Sequence, residues 1–381
     1  MKRKASRGKR GLAKLIYSAS EYDADMLYAT RFFAPDPFVW VCCNGETHMM
    51  LSDLEVDRAR GSSAVTHIHS MTELKKEAGL SGRGDGVAAL VAYFFKANRI
   101  SAVEVPQSFP FGLAEMLRKE GVVLKAAKDA FFPERLYKSH EEISCIEAAQ
   151  KMAEVGMSRA RDILRAANPT KAGWLKWKGR LLTSEIVQGE VNAAIAASGG
   201  VASHTIIAGG DQACDPHERG HGPLPANKAI IVDIFPRVSK TGYWGDITRT
   251  FVRGRPSDGL CRLYETVLAG QKQALDLLRD GCDGKKIQQG VKSFFDKGGY
   301  LTEQRDGRQA GFFHGLGHGV GLEIHEAPRF SSGVLKKGMV VTVEPGLYYC
   351  GLGGVRIEDL VVVEDKGCRN LTHFPKNWIL R

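Results

Sequence analysis

Four acidic residues stand where an apolar strand does not want them. Asp233 lies in AIIVDIF, Asp246 in YWGDITRTF, Glu344 in MVVTVEPGLY and Glu358 in GVRIEDLVVVE. A carboxylate in such a run is costly to bury unless it is paired or bound to a cation. One acid of this kind is commonly satisfied by a salt bridge. Four of them on four strand-like segments call for a shared cause.

A second feature joins them. Residues 312–326 read FFHGLGHGVGLEIHE, with His314, His318 and His325 set among glycines. Glycine lets backbone approach a neighbour or ligand closely, and histidine is the commonest metal ligand. Four carboxylates and one imidazole suit borderline ions such as Mn²⁺, Co²⁺, Fe²⁺ or Zn²⁺. Two such ions can hold a hydroxide and polarise a carbonyl, and they would neutralise carboxylates that otherwise repel one another. A further pair, His217 and His221, lies in CDPHERGHG; one of the two is read as only a loop histidine.

The rest of the chain reads as two regions. Residues 11–135 suggest a small α/β domain. In it, Phe38 to Cys43 and Met49 to Leu54 are predicted strands around the turn signal Asn44-Gly45. Helices are predicted over 86–97 and 110–120, and strands over 102–105 and 122–125. Ser139 followed by Glu142 has the spacing of a capping box and opens a long helix to about Ala166. Helices are also predicted over 183–197, 264–278 and 284–297, with strands over 204–207, 229–235, 243–252, 340–348 and 355–363. Strands and helices there do not alternate strictly, which points to an α+β region, an antiparallel sheet with helices on one side, spanning 136–381.

Composition narrows the class. Net charge is +10, but Lys2, Arg3, Lys4, Arg7, Lys9 and Arg10 crowd residues 1–10, and without them 47 basic residues face 43 acidic ones. That basic tail is read as a disordered, solubilising terminus rather than a nucleic-acid arm. The eight cysteines form no CxxC pair, which suggests a reducing, cytoplasmic setting. No apolar run approaches the roughly 20 residues of a membrane span, and the segment after the tail is too short and polar for a signal peptide.

VDIF…GDITRTF, HGLGHGVGLEIHE, TVEPGLY and VRIED together resemble the pita-bread metallopeptidase family. That family takes in Xaa-Pro aminopeptidase, prolidase, methionine aminopeptidase and the metal-free creatinase. The likeness covers 140–381; the preceding domain is similar, more weakly, to that of the creatinase and prolidase branch. It implies a C-terminal pita-bread fold behind a smaller N-terminal α/β domain. It implies two divalent ions, Mn²⁺ first among Co²⁺, Zn²⁺ and Fe²⁺. Asp233 would bind one ion through both oxygens, and Asp246 and Glu358 would bridge. His318 and Glu344 would complete the second, with Glu344 also shuttling the proton. His217, preferred over His221 by its place in the family pattern, and His325 would bind the carbonyl and stabilise the tetrahedral intermediate. His314 and Tyr348 would meet substrate, Arg356 would orient Glu358, and Thr248 to Thr250 would be strand scaffolding. The glycines near His318 would make room for metal and peptide.

The implied reaction is hydrolysis of a peptide with proline at its second position, by a homodimer, with no membrane or nucleic-acid partner. A small-metabolite hydrolase or lyase on the same fold, and a pseudo-peptidase binding module, are the alternatives. Two departures from the family pattern stand out. Asp233 and Asp246 are thirteen residues apart rather than eleven, which reads as a lengthened hairpin, and Phe235-Pro236 replace the usual small pair.

Overall fold

The computed structural model describes residues 12–80 and 86–381; the basic tail of residues 1–10 lies outside them. The chain forms two compact units, one ending at Pro133 and the other running Glu134–Arg381. Arg135, assigned above to the first domain, falls in the second unit because its guanidinium pairs with Glu323 and Glu326.

The first unit is a six-stranded sheet in the order β4-β3-β2-β1-β5-β6. The strands are β1 (Ala13–Ser18), β2 (Phe38–Cys43), β3 (Glu46–Leu51), β4 (His67–Ser70), β5 (Ala102–Val105) and β6 (Val123–Ala126). β1 to β3 pair antiparallel; β4, β5 and β6 join in parallel. Asn44 and Gly45 take φ of 54° and 86°, the left-handed pair that a two-residue hairpin turn requires. Alternate residues face opposite ways. Leu15, Val39 and Val41 pack under α4 (Val87–Ala97) and α5 (Phe111–Lys119). Ile16 and Trp40 face the other side with Met26 and Val56, from α1 (Ala24–Thr30) and α2 (Asp53–Ser62). These two helices and α3 (Met71–Glu77) are not foreseen in the sequence: two have only seven residues, and α2 is polar on most of its surface.

The second unit has two similar halves, each a helix pair over an antiparallel sheet. In the first half, α6 (His140–Ala166) and α7 (Ser184–Ala197) cover strands Ile206–Gly209, Ile230–Ile234 and Ile247–Arg253. In the second, α8 (Asp258–Leu277) and α9 (Gly284–Lys297) cover strands Val340–Val343 and Asp359–Val363. The capping box predicted at Ser139 is present. The Glu142 amide donates to Ser139 Oγ at 3.2 Å, and the Ser139 amide donates to Glu142 Oε2 at 2.9 Å.

Two predicted strands are each broken in two. The 340–348 segment becomes Val340–Val343 and Gly346–Tyr349, and 355–363 becomes Gly353–Arg356 and Asp359–Val363. The outer pieces belong to a five-stranded sheet; the inner pieces pair with each other as a separate two-stranded ribbon, bridged at Tyr348 to Gly311. The breaks fall at Glu344-Pro345 and Ile357-Glu358. Proline cannot donate to a ladder, so the hairpin changes sheets there. The acids therefore do not sit inside strands as expected, Asp233 excepted. Asp246, Glu344 and Glu358 each sit immediately beside a strand end.

Replacing Ser139 with alanine removes the N-cap acceptor of a 27-residue helix. It is expected to lower unfolding stability by about 1 kcal/mol, read as a lower urea midpoint at unchanged m.

Candidate metal centre

The strand Ile230–Ile234 pairs with Ile247–Arg253 so that Asp233 faces Thr248. The ladder runs on in the same register: Gly245 N donates to Pro236 O at 3.0 Å, and Arg237 bridges Trp244. The hairpin is thus lengthened without a slip. Asp246, two residues before Thr248, lies diagonally across from Asp233 on the same face. Gln150 of α6 clamps Asp246 from behind. Its Oε1 accepts from the Asp246 amide at 2.8 Å and its Nε2 donates to the Asp246 carbonyl at 2.9 Å.

The other half supplies His318, Glu344 and Glu358. The Glu344 amide donates to Leu316 O at 2.9 Å, and the Glu358 amide donates to Thr248 O at 3.1 Å, which ties the two sheets together at the centre. His318 Nδ1 lies 3.1 Å from Gly319 O. A carbonyl only accepts, so Nδ1 carries the proton and Nε2 keeps its lone pair. That Nε2 is 3.3 Å from Glu344 Oε1 and 3.6 Å from Asp246 Oδ2. Donor atoms of Asp246, His318 and Glu358, all buried, lie within 4.8 Å of one another.

The electrostatics fit a cation. Burial, then Glu358, Asp233 and Glu344, holds Asp246 well above its ordinary value. Burial, then Glu344 and Asp233, does the same to Glu358. Burial pushes Glu344 up to about 7, with Arg356 opposing and Asp233 reinforcing. Asp233 Oδ1 is buried and has no hydrogen-bond partner, an omission that proteins rarely tolerate. A free carboxylate oxygen, a free imidazole lone pair and crowded acids form an oxygen-rich donor set with one nitrogen, the kind that holds borderline divalent ions.

The supporting contacts correct several expectations. Arg356 makes no direct hydrogen bond to Glu358 and meets it through the Thr248 hydroxyl. Its Nη2 donates to Asp233 Oδ2 at 2.7 Å, its Nη1 to Tyr348 OH at 3.0 Å, and its Nε to Thr248 Oγ1 at 3.3 Å. The strand breaks between Arg356 and Glu358, so the two do not share a face and the arginine points across to the neighbouring sheet. Thr248 is more than scaffolding: its hydroxyl donates to Glu358 Oε2 at 2.9 Å. Thr342 was missed; its hydroxyl donates to Glu344 Oε1 at 3.3 Å and accepts from the His318 amide at 3.1 Å. Each threonine stands two residues from an acid in an apolar run, a spacing that could have exposed both. Tyr348 is fully buried, and its hydroxyl is engaged by Arg356 and by His314 Nε2 at 2.9 Å. Its hydroxyl thus links His314 to Arg356. The glycines flanking His318 make room for backbone rather than for a ligand. A Cβ on Gly317 would stand 2.0 Å from Thr342 O, and one on Gly319 would stand 2.3 Å from Ala327 O.

The remaining histidines surround the donors. The His325 ring packs edge-on against His318 with centroids 4.4 Å apart; burial, then Arg329 and His217, lowers its pKa. Burial, then Arg356, lowers His314 to about 4. His217 is exposed, near enough to act electrostatically on both His314 and His325. His221 instead lies 3.4 Å from Glu218.

Known proteins share this fold. The metallopeptidase family M24 matches residues 144–365. A Xaa-Pro dipeptidase of Pyrococcus horikoshii is 31% identical over 293 residues, 75% of this chain and 77% of that protein. The Xaa-Pro dipeptidase of Pyrococcus furiosus is 39% identical over a shorter stretch, 44% of this chain and 47% of that one. Among solved structures, the X-Pro aminopeptidase of Thermotoga maritima superposes with a TM-score of 0.81 over 97% of each chain at 22% identity, a likeness of fold. The Pyrococcus horikoshii prolidase gives 0.78 at 26% identity, over 97% of this chain and 95% of that one. The chain belongs to metallopeptidase family M24, in its creatinase and prolidase branch, and has the pita-bread fold.

A carboxyl whose pKa is raised by folding binds its proton more tightly in the folded chain. The stability it contributes is full below its unfolded value and is lost as pH rises through the folded one. For Glu344 that window runs from 4.5 to about 7. The melting temperature of metal-stripped protein is therefore expected to fall between pH 5 and 8, and added Mn²⁺ to restore it at pH 8. A stripped protein whose melting temperature climbs across that range would contradict the crowding described here.

Proposed function

We propose that this metallopeptidase cleaves N-terminal Xaa-Pro peptide bonds with two divalent metal ions bound at the centre. The observation carrying the chemistry is the buried convergence of Asp246, His318 and Glu358 beside the unpartnered Asp233 Oδ1. The substrate class is supported by the Xaa-Pro dipeptidase relatives.

In this reading Asp233, Asp246, His318, Glu344 and Glu358 would hold the ions. When bound, the ions supply Lewis-acid polarisation of the scissile carbonyl and an acidified water. Asp233 Oδ1 is free to ligate, and Oδ2 retains a lone pair beyond the one Arg356 occupies. Thr342 occupies Glu344 Oε1, which leaves Oε2 to take a proton from the attacking water and return it to the leaving nitrogen. Arg356 fixes Asp233, and Thr248 fixes Glu358, so neither carboxylate swings when charge moves.

His325, neutral because its pKa is lowered, offers an N–H to the oxygen that becomes negative in the tetrahedral intermediate. His217, exposed and within electrostatic range of His325, would meet the same carbonyl. His314 has both ring nitrogens engaged, by Gly315 O at 2.8 Å and by Tyr348. It contributes a wall of the substrate pocket, and Tyr348 and Arg356 hold that wall still. Manganese is the first metal to try, and a cytoplasmic homodimer is the expected state.

The test pairs a Xaa-Pro dipeptide with a longer Xaa-Pro peptide over a Mn²⁺ titration, with Co²⁺, Zn²⁺ and Fe²⁺ in parallel. Metal-dependent release of the first residue is expected, abolished by chelator. His325→Ala is expected to lower kcat about 100-fold, with a smaller change in KM. Full hydrolysis in the presence of chelator would sink the mechanism. Metal-dependent cleavage of small amides but not of Xaa-Pro peptides would replace the substrate class.

A further inference from the structure

The first unit carries its own cluster of metal-type donors. β3 and β4 run parallel with His48 opposite His67 and Met50 opposite His69. Side chains alternate along each strand, so Glu46 and His48 share a face of β3, and His67 and His69 share that face of β4. The ring planes of His48 and His67 lie 18° apart with centroids at 4.7 Å; those of His48 and His69 also lie 18° apart, at 5.5 Å. Phe94 of α4 packs edge-on against both His48 and His69, at 5.1 and 5.7 Å, and gives the patch an apolar floor.

The donor spacing is that of ligands around one ion. His48 Nδ1 is 3.2 Å from His69 Nε2, and His67 Nε2 is 3.3 Å from Glu46 Oε2. Donors on Glu46, His48 and His67 all fall within 4.8 Å of one another. Ligands about 2.0–2.1 Å from a tetrahedral Zn²⁺ stand about 3.3 Å apart. His67 Nε2 is closed off from solvent and has no hydrogen-bond partner; its approach to Glu46 is an ion-pair distance without hydrogen-bond alignment. An unpartnered imidazole nitrogen beside a carboxylate and the His48 imidazole calls for a cation among them.

We infer that Glu46, His48 and His67 form a second metal site, which takes one zinc-class divalent ion, with His69 holding the His48 ring through its nitrogen. Two imidazole nitrogens and one carboxylate oxygen suit Zn²⁺, whereas the carboxylate-rich centre of the other unit suits harder ions as well. The ion would staple β4, the edge strand of the sheet, to β3.

The experiment measures Zn²⁺ bound per full-length chain by equilibrium dialysis, for the wild type and for the double variant His67→Ala, His69→Ala. Both residues are only partly buried, so the variant is expected to fold, checked by circular dichroism. It is expected to bind about one equivalent less Zn²⁺, with Mn²⁺-supported peptidase activity unchanged. A chain carrying Asp246→Asn and His318→Ala is expected to keep the zinc equivalent that the histidine variant loses, which separates the two sites. Glu46→Gln, an exposed change that leaves the fold alone, is expected to weaken that equivalent about tenfold or more. Equal zinc stoichiometry in the wild type and the double variant, or no weakening in Glu46→Gln, overturns the assignment.

Discussion

Negative charge concentrated in a buried place is the constraint around which the second unit is arranged. Asp233, Asp246, Glu344 and Glu358 converge where water is scarce, and Asp233, Glu344 and Glu358 each raise the proton affinity of another acid there. Such a group holds together only if every acid is fixed by neighbours and their common charge is met. The neighbours are present. Gln150 clamps the backbone of Asp246, Thr248 binds Glu358, Thr342 binds Glu344, and Arg356 binds Asp233. Arg356 brings a full positive charge, held in place by Tyr348 and Thr248. The remaining excess of acid is what bound divalent cations would neutralise.

The same constraint accounts for the broken strands. A continuous strand through Glu344 would have to alternate the acid between a ladder and a core. The chain instead leaves one sheet at Val343, passes Glu344-Pro345, and starts another at Gly346. Its partner does likewise between Arg356 and Asp359. Freed from pairing, the two glutamates turn toward the centre while Val341, Val343 and Val361 stay in the core against α8 and α9. Beneath the break, buried Arg249 donates to Asp359 Oδ1 at 2.9 Å and to Phe374 O at 2.8 Å, which anchors the strand that resumes after Glu358.

Most of this was legible in the sequence wherever the signal was local. The capping box at Ser139 and the Asn44-Gly45 turn each depend on a few adjacent residues, and both formed. The acids announced themselves because charge is rare in apolar runs. What stayed hidden depended on partners distant in sequence. The family resemblance assigns Arg356 to Glu358, two residues on, whereas its direct partner is Asp233 and it meets Glu358 only through Thr248. Tyr348 reads as a pocket residue until its hydroxyl is seen fully engaged and its ring fully buried. The glycines around His318 read as space for a ligand, although the space they make is taken by the carbonyls of Thr342 and Ala327. The helix α2 has too little apolar surface for its periodicity to stand out, and α1 and α3 are too short.

The distance between the two halves of the centre along the chain has a consequence for synthesis. Thr248 and Glu358, bonded to each other, are 110 residues apart, and Arg356 and Asp233 are 123 apart. At translation rates of about 5–20 residues per second, the interval between them is on the order of ten seconds. Through that interval the nascent chain carries Asp233 and Asp246 with neither Arg356 nor Glu358 yet made. The first half can fold its sheet under α6 and α7, but its acids stay hydrated until the second half arrives to enclose them. Closure of the centre is thus a late event of biogenesis, and the appearance of a metal-competent site reports that the last strands have docked.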